Sequence, residues 1–485
     1  MLKQVQHDEQ KQMIDYLKNN PFFTGLLLVI IVFVGVKIPF LSLPYYWDEA
    51  WVYGPAIRTM EATKLGILPD ALPPELSRGH PLLFHFLGAT WMTAFGTSTT
   101  VGHIFPLFLS VLLFVAVYLF DKKIFLSDKA GFTAAFVLAL QPIFLAQSGL
   151  LLPEVMLALF SLITFYFYLD NKRILYVLAG ILTLFTKESG LTVIATLLLW
   201  TLLEALFSSD GKKWKKFFVN SLVISLPLIP FVAYFVYQNM IQGWFFFPEH
   251  IGLIASTPEK ILNQLERYAA YVFIYQGRNL LTFSTIIALL VVPFSGRTLE
   301  QNESKAVLVL LLHCFVYLIF SSLNFYSDRY TMMLIPMLSL LFAFSINKAF
   351  DFNWVPWVVL VVVAGLQWQE INKRTNSDHN LGYADAIETH EKAIAYCEEK
   401  ELKDKIFYGY FLMERYMENP YSGYVTEDNK FSNVDGKFTD KTEYAVFSNV
   451  EDKENYEFLK TTKRLKLLEG FEERNAWTEV YKVEK

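Results

Sequence analysis

Cysteine is nearly absent. Cys314 and Cys397 are the two in 485 residues, too few for a disulfide framework or a thiolate zinc site. One lies in an apolar run and the other in a polar tail, which argues against a bridge between them. Charge is also scarce. Only 18 % of residues are charged, the net charge is −5, and no basic stripe exists, so a nucleic-acid binder is excluded. No G-x-G-x-x-G, P-loop or metal-ligand spacing occurs. No internal repeat is visible, which weighs against a carrier built from inverted repeats. What the chain has is apolar bulk: 54 % hydrophobic residues, with 44 Phe, 26 Tyr and 10 Trp. Its mean hydropathy is +0.33. A soluble globule cannot hide that surface, and a disordered chain does not carry it. The composition is that of a membrane protein with a soluble piece attached.

Eleven segments read as membrane spans: 22–41, 101–120, 130–149, 154–169, 174–187, 190–207, 217–237, 279–295, 306–323, 330–347 and 354–370. The first follows a polar tail and lacks a small-residue cleavage site, so it reads as an uncleaved anchor. Segment 80–98 is apolar too, but it carries His80, His85 and Gly88. Lysine and arginine decide its place. With 80–98 left out, Lys122, Lys123, Lys172, Arg173, Lys212, Lys213 and Lys348 all fall in inner loops, as the positive-inside rule expects. Segment 80–98 then reads as interfacial or re-entrant on the outer face. The N-terminus is cytoplasmic. The outer face receives the first loop 42–100, loop 238–278 and everything from 371 on.

Residues 371–485 are polar, with an amphipathic helix at 383–400 whose stripe is Tyr383, Ile387, His390, Ile394 and Cys397. Runs at 406–412, 443–448, 464–468 and 477–483 read as strands. The expected architecture is an all-α polytopic core, 1–370, with a C-terminal soluble α/β domain, 371–485, outside the cytoplasm.

An ionised group beside a bilayer is costly and calls for a reason. Asp48, Glu49, Arg78, His80, Glu154, Lys187, Glu188, Asp328 and Arg329 all sit at span edges, and all on the outer side in this topology. Asp48 and Glu49 lie within Y-Y-W-D-E-A-W-V-Y, among five aromatics. Asp48 reads as a general base at a lipid–water boundary, or as a plain helix cap in an aromatic belt. Glu154 follows Pro153, where an acid complements a helix dipole; its alternative role is beside Asp48. Lys187 has two readings, a pair with Glu188 or a phosphate contact. Arg329 pairs with Asp328 or Glu188, or grips a phosphate in bidentate fashion. His80 and His85 lack a third ligand at metal spacing and read as hydrogen-bonded interfacial histidines.

The ordered set of D-E at 48–49, R-G-H-P-L-L at 78–83, L-P-E at 152–154, L-F-T-K-E-S-G at 184–190 and R-Y with Pro336 resembles the GT-C glycosyltransferases that use polyprenyl-phosphate sugars. The nearest in pattern are the protein O-mannosyltransferases and the lipid A aminoarabinose transferases. The likeness spans roughly residues 20–350. It departs where Leu82 replaces a second proline, His80 stands at a usually basic position, and Glu154 replaces a frequent Asp. The resemblance implies a donor sugar on a polyprenyl phosphate, a hydroxyl acceptor in the cell envelope, and a multi-pass protein of the cytoplasmic membrane. It implies Asp48 as catalytic acid–base, with Glu49 beside it and Glu154 as a second acid. It implies Arg78, His80, Lys187, Arg329 and Tyr330 toward the donor phosphate. No cofactor is expected to be required, and whether a divalent ion bridges Asp48 and Glu154 stays open. The competing readings are a transporter or flippase of lipid-linked precursors, with charges near mid-span, and a non-catalytic assembly factor working through its tail.

Overall fold

A computed structural model describes residues 15–350, 354–450, 453–462 and 465–484. Most of the polar N-terminal tail, residues 351–353 of one expected inner loop and residue 464 of one expected strand lie outside them. The chain is mostly helical, with a small sheet near its C-terminus. Five helices are long and apolar enough to cross a membrane: Pro21–Phe40, Thr99–Ile124, Glu188–Phe207, Gln301–Ser322 and Asp328–Ala349. Two bent pairs raise the number to seven if each is one span. Leu83–Phe95, Glu154–Leu169 and Arg173–Thr186 are apolar but shorter. Leu28, Ile31, Phe218, Leu222, Ile229, Leu290 and Phe294 are all exposed on these helices. Such a surface is stable only against lipid. The protein is a multi-pass membrane protein.

Helix ends follow local chemistry. Ser98 caps Thr99–Ile124 and Ser127 caps Asp128–Ala139, each through a side-chain oxygen that accepts a backbone N–H. The expected span 130–149 is broken: a helix stops at Ala139 and Pro142 opens a second one, Pro142–Gln147. Proline lacks the N–H needed to continue a helix and is suited to starting one. Pro227 divides 217–237 in the same way, with a 46° bend. Segment 80–98 contains the helix Leu83–Phe95, whose 13 residues rise only about 20 Å, short of the hydrocarbon thickness. Loop 238–278 is not open chain. It holds Pro248–Gly252 and Pro258–Phe273, the latter started by Thr257 and Pro258.

The C-terminal sheet has order β2-β1-β3-β5-β4, with β1 Phe407–Gly409, β2 Val434–Asp435, β3 Tyr444–Ser448, β4 Leu465–Glu473 and β5 Ala476–Val483. β1 runs parallel to β2 and β3, while β3–β5 and β4–β5 are antiparallel. The expected amphipathic helix is Gly382–Glu399; its stripe residues are all buried, and it packs on β4 and β5. One strand was expected where two elements lie. The run 406–412 is β1 followed by the helix Phe411–Glu418, whose Leu412, Met413, Tyr416 and Met417 recur at helical spacing and are buried.

The tail is bolted to the core. Tyr45 N–H donates to the Ser422 carbonyl (2.8 Å), Trp47 N–H to the Tyr416 hydroxyl (3.1 Å), and the Tyr421 hydroxyl to the Ala50 carbonyl (2.6 Å). Lys37, at the end of the first span, donates to the Leu145 carbonyl (2.8 Å) and reaches the Tyr383 hydroxyl (3.4 Å). The aromatic segment around Asp48 is thus clamped between the two parts of the chain.

Candidate active site

Trp47 adopts a left-handed backbone (φ 48°) and turns the chain into one turn of π-helix, Glu49–Tyr53. Asp48 stands at its start, yet its side chain makes no capping bond. Its Oδ1 instead accepts from the Trp51 indole N–H at 2.9 Å, and its Oδ2 accepts from Arg329 Nη2. The neighbouring Glu49 points elsewhere. It is fully buried and accepts from the backbone N–H groups of Tyr46 (3.0 Å) and Leu151. His103 Nε2 lies 3.1 Å from its Oε1. The adjacent pair therefore divides: Asp48 enters the cluster described next, and Glu49 holds the loop.

Arg329 is the hub. It sits in the 3-10 turn Asp328–Leu334 and is buried. One nitrogen meets Asp48, Nη1 donates to Asp378 at 2.6 Å, and Nε lies 3.6 Å from Glu154. Glu154 opens the helix Glu154–Leu169, and its Oε1 accepts from Lys187 Nζ at 2.9 Å. Lys187, in the extended link after Thr186, rests its ammonium 4.0 Å from the centre of the Tyr330 ring. Asp48, Glu154, Lys187 and the Arg329–Tyr330 turn thus converge from four separate parts of the chain. The local pairs Lys187–Glu188 and Arg329–Asp328 do not form: Glu188 binds His80 Nδ1 at 2.9 Å, and Asp328 faces His379 at 3.3 Å.

His80 and Arg78 form a flank. Arg78 is itself left-handed (φ 47°), pairs with Glu249 at 3.2 Å, and lies 4.6 Å over the Trp51 ring. Trp51 therefore links the two groups, its N–H on Asp48 and its face under Arg78. Gly79 (φ +74°) lets the backbone pass against the aromatic loop; a Cβ there would come within 2.8 Å of Trp244. His80 also meets the ring of His250 at 5.1 Å. His85 is buried, stacked on Tyr53, and makes no hydrogen bond among the described residues.

Two members of the site escaped sequence reasoning. Asp378 lies in S-D-H-N beyond the last span, and its backbone is pinned by Gln147 Nε2 at 2.8 Å. Trp51 was visible as an aromatic three residues after Asp48, but not as its hydrogen-bond donor.

The electrostatics are uneven. Burial pushes the Asp48 carboxyl up, but the Arg329 guanidinium, backed by Trp51 and Lys187, outweighs it and holds the group below the usual carboxylate range. At Asp378 burial prevails over Arg329 and raises the carboxyl. Glu154 Oε2 and Arg329 Nε are buried without hydrogen-bond partners among the described residues. A buried atom with unspent bonding capacity calls for a partner that arrives. Among the described residues, no three His, Cys, Asp or Glu side chains are placed to hold a metal ion.

No known family profile matches the chain, and no curated protein matches it in sequence. Solved structures match its shape. ArnT from Cupriavidus metallidurans bound to undecaprenyl phosphate superimposes with TM-score 0.57 at 13 % identity, over 94 % of this chain and 97 % of that one. The same protein in the apo state gives 0.54 at 13 % identity, over 93 % and 97 %. The Archaeoglobus fulgidus oligosaccharyltransferase, in complex with Zn and sulfate, gives 0.50 at 13 % identity, over 87 % and 67 %. At such identity the likeness is one of architecture: the chain has the fold of these proteins.

Proposed function

We propose that this protein is an inverting membrane glycosyltransferase that moves a sugar from a polyprenyl phosphate to a hydroxyl acceptor. The observation that carries the reading is the convergence of Asp48, Glu154, Lys187 and Arg329, with Tyr330, in one cluster around the buried Glu154 and Arg329. The fold supports it, since ArnT with that fold was solved with undecaprenyl phosphate bound. The reading keeps the eleven-span topology, with the cluster and the C-terminal domain on the outer face of the cytoplasmic membrane.

The acceptor oxygen attacks the anomeric carbon as the bond to the phosphate oxygen breaks on the opposite face. The acceptor proton passes to Asp48, and the polyprenyl phosphate leaves with the bonding pair. Lys187 and Arg329 neutralise the phosphate, so the reaction needs no metal for that purpose. His80 and Arg78 take the flank of the donor, and Glu154 holds Lys187 and Arg329 in register. Arg329 keeps Asp48 ionised but also a weak base. A donor phosphate competes for the same guanidinium, and as it draws Arg329 away the proton affinity of Asp48 rises toward that needed for general-base work.

The test is Asp48→Asn in purified protein, assayed with radiolabelled polyprenyl-phosphate sugars. The variant is expected to fold and to lose about 100- to 10,000-fold in turnover. Wild-type turnover by this variant overturns the assignment.

A further inference from the structure

A cavity of about 650 Å³ lies beside the cluster, between the helix Pro258–Phe273, the turn at Asp328 and the segment after the last span. Its size is that of a small-molecule site. It shares a wall with the Asp48 cluster. Asp328 and His379 line the cavity and face each other at 3.3 Å. Their chain neighbours Arg329 and Asp378 pair at 2.6 Å in the Asp48 cluster. The partition is two residues wide on each strand of chain.

The lining is polar without being an ion trap. Glu266, Asp328 and Glu370 stand against Arg267 and Lys373. Lys373 is spent on Glu370 at 2.5 Å. Arg267 stacks 3.8 Å over the Tyr326 ring and makes no ion pair among the described residues, so its fork of donors is free. Burial keeps His379 low in proton affinity, hence neutral near pH 7. So many charges repel a lipid tail, and with Lys373 spent on Glu370 the cavity sets the carboxylates of Glu266 and Asp328 against the one free guanidinium of Arg267, which favours a neutral guest over a further anion. What such walls accept is a group that is neutral, rich in both donors and acceptors, and flat on one side. Tyr275, 57 % exposed, offers a ring face.

We propose that this cavity is the acceptor subsite and that it holds an uncharged sugar of the acceptor, so that the acceptor is a glycan. The inference rests on the transferase reading above. Carboxylates of Glu266 and Asp328 accept from sugar hydroxyls, Arg267 donates to them, and Tyr275 stacks on the ring. The anchored sugar is a non-reacting unit of the acceptor, and it holds the glycan beside the cluster in which the hydroxyl of another unit meets the donor at Asp48.

The experiment is saturation-transfer NMR on the full chain in lipid nanodiscs. The probes are maltose, cellobiose and α-1,2-mannobiose, with a Ser/Thr-rich peptide and inorganic phosphate as alternatives. At least one disaccharide is expected to bind, with tenfold or greater loss of affinity in Glu266→Gln and in Tyr275→Ala, both at exposed positions. Asp48→Asn is expected to bind as wild type does. Absence of disaccharide binding, binding unmoved by both variants, or preference for peptide or phosphate each overturns the subsite. Because binding is read without turnover, absence of disaccharide binding in a protein that still transfers sugar leaves the transferase reading standing, whereas sugar binding by a wild-type protein that transfers no sugar from any polyprenyl-phosphate donor sinks the transferase reading, and with it the acceptor role.

Discussion

Replacing Arg329 by methionine should expose the cost of the hub. The change keeps an apolar stem of similar length and removes a guanidinium that faces Asp48, Asp378 and Glu154. Buried Glu154 and the mostly buried Asp48 and Asp378 are then left with one cation, Lys187. Breaking a buried pair in this way costs about 3–5 kcal/mol. The two cysteines, both buried and far apart in the chain, supply the assay: unfolding exposes Cys314 in the core and Cys397 in the tail to a thiol-reactive dye. At pH 7.5 the variant should label at a markedly lower temperature. The pH dependence carries a sign. Asp48 is held below its unfolded value in the native protein, so its contribution is present above about pH 4 and is lost as pH falls through the native value. Asp378 is raised, so its contribution is largest at low pH and is lost as pH rises through its native value. Without Arg329 every orphaned carboxyl shifts upward and takes up a proton on acidification. The gap between variant and wild type should therefore narrow from pH 7.5 to pH 5. An unchanged unfolding temperature at pH 7.5, or a gap that widens with acid, refutes the hub.

Lys187→Met removes the second cation beside the proposed phosphate and should lower kcat/KM about 100-fold or more, measured with saturating acceptor. Glu49→Gln keeps the shape but weakens the acceptor that holds Leu151 and Tyr46; it should cost about 1–3 kcal/mol in the same labelling assay and leave KM for the donor unchanged. Gly79→Ala places a methyl against Trp244 in a left-handed turn, and should speed limited proteolysis in 244–257. Equal cleavage rates would show that this turn does not seat the loop.

Much of the cluster was legible because charge is expensive where it occurs. In a chain so apolar, Asp48, Glu154, Lys187 and Arg329 stood out at span edges, and each proved to be spent on a partner distant in sequence. Asp378 did not stand out, since an aspartate in a polar tail is ordinary. Its meaning comes only from Gln147 and Arg329, 231 and 49 positions away. Glu49 shows the opposite difficulty. Adjacent acids look alike in sequence, but a π-turn sends one to the cluster and the other to backbone donors. Periodicity located the helix Gly382–Glu399, whereas in 406–412 aromatic content masked the change from a strand to a helix at Tyr410. Prolines 142 and 227 broke spans that hydropathy alone had drawn as continuous.

The way residues 375–383 are laid into the core fixes where this protein can be divided. Asn376 accepts from Tyr46, Asp378 holds Arg329, and Tyr383 meets Lys37. A hybrid that joins this membrane part to the soluble part of a relative at residue 370 would discard the third acid and strand a lysine. A cut past Tyr383 still parts Tyr416, Tyr421 and Ser422 from the segment around Asp48, so evolution could exchange the outer portion only by rebuilding the pocket's clamp along with it.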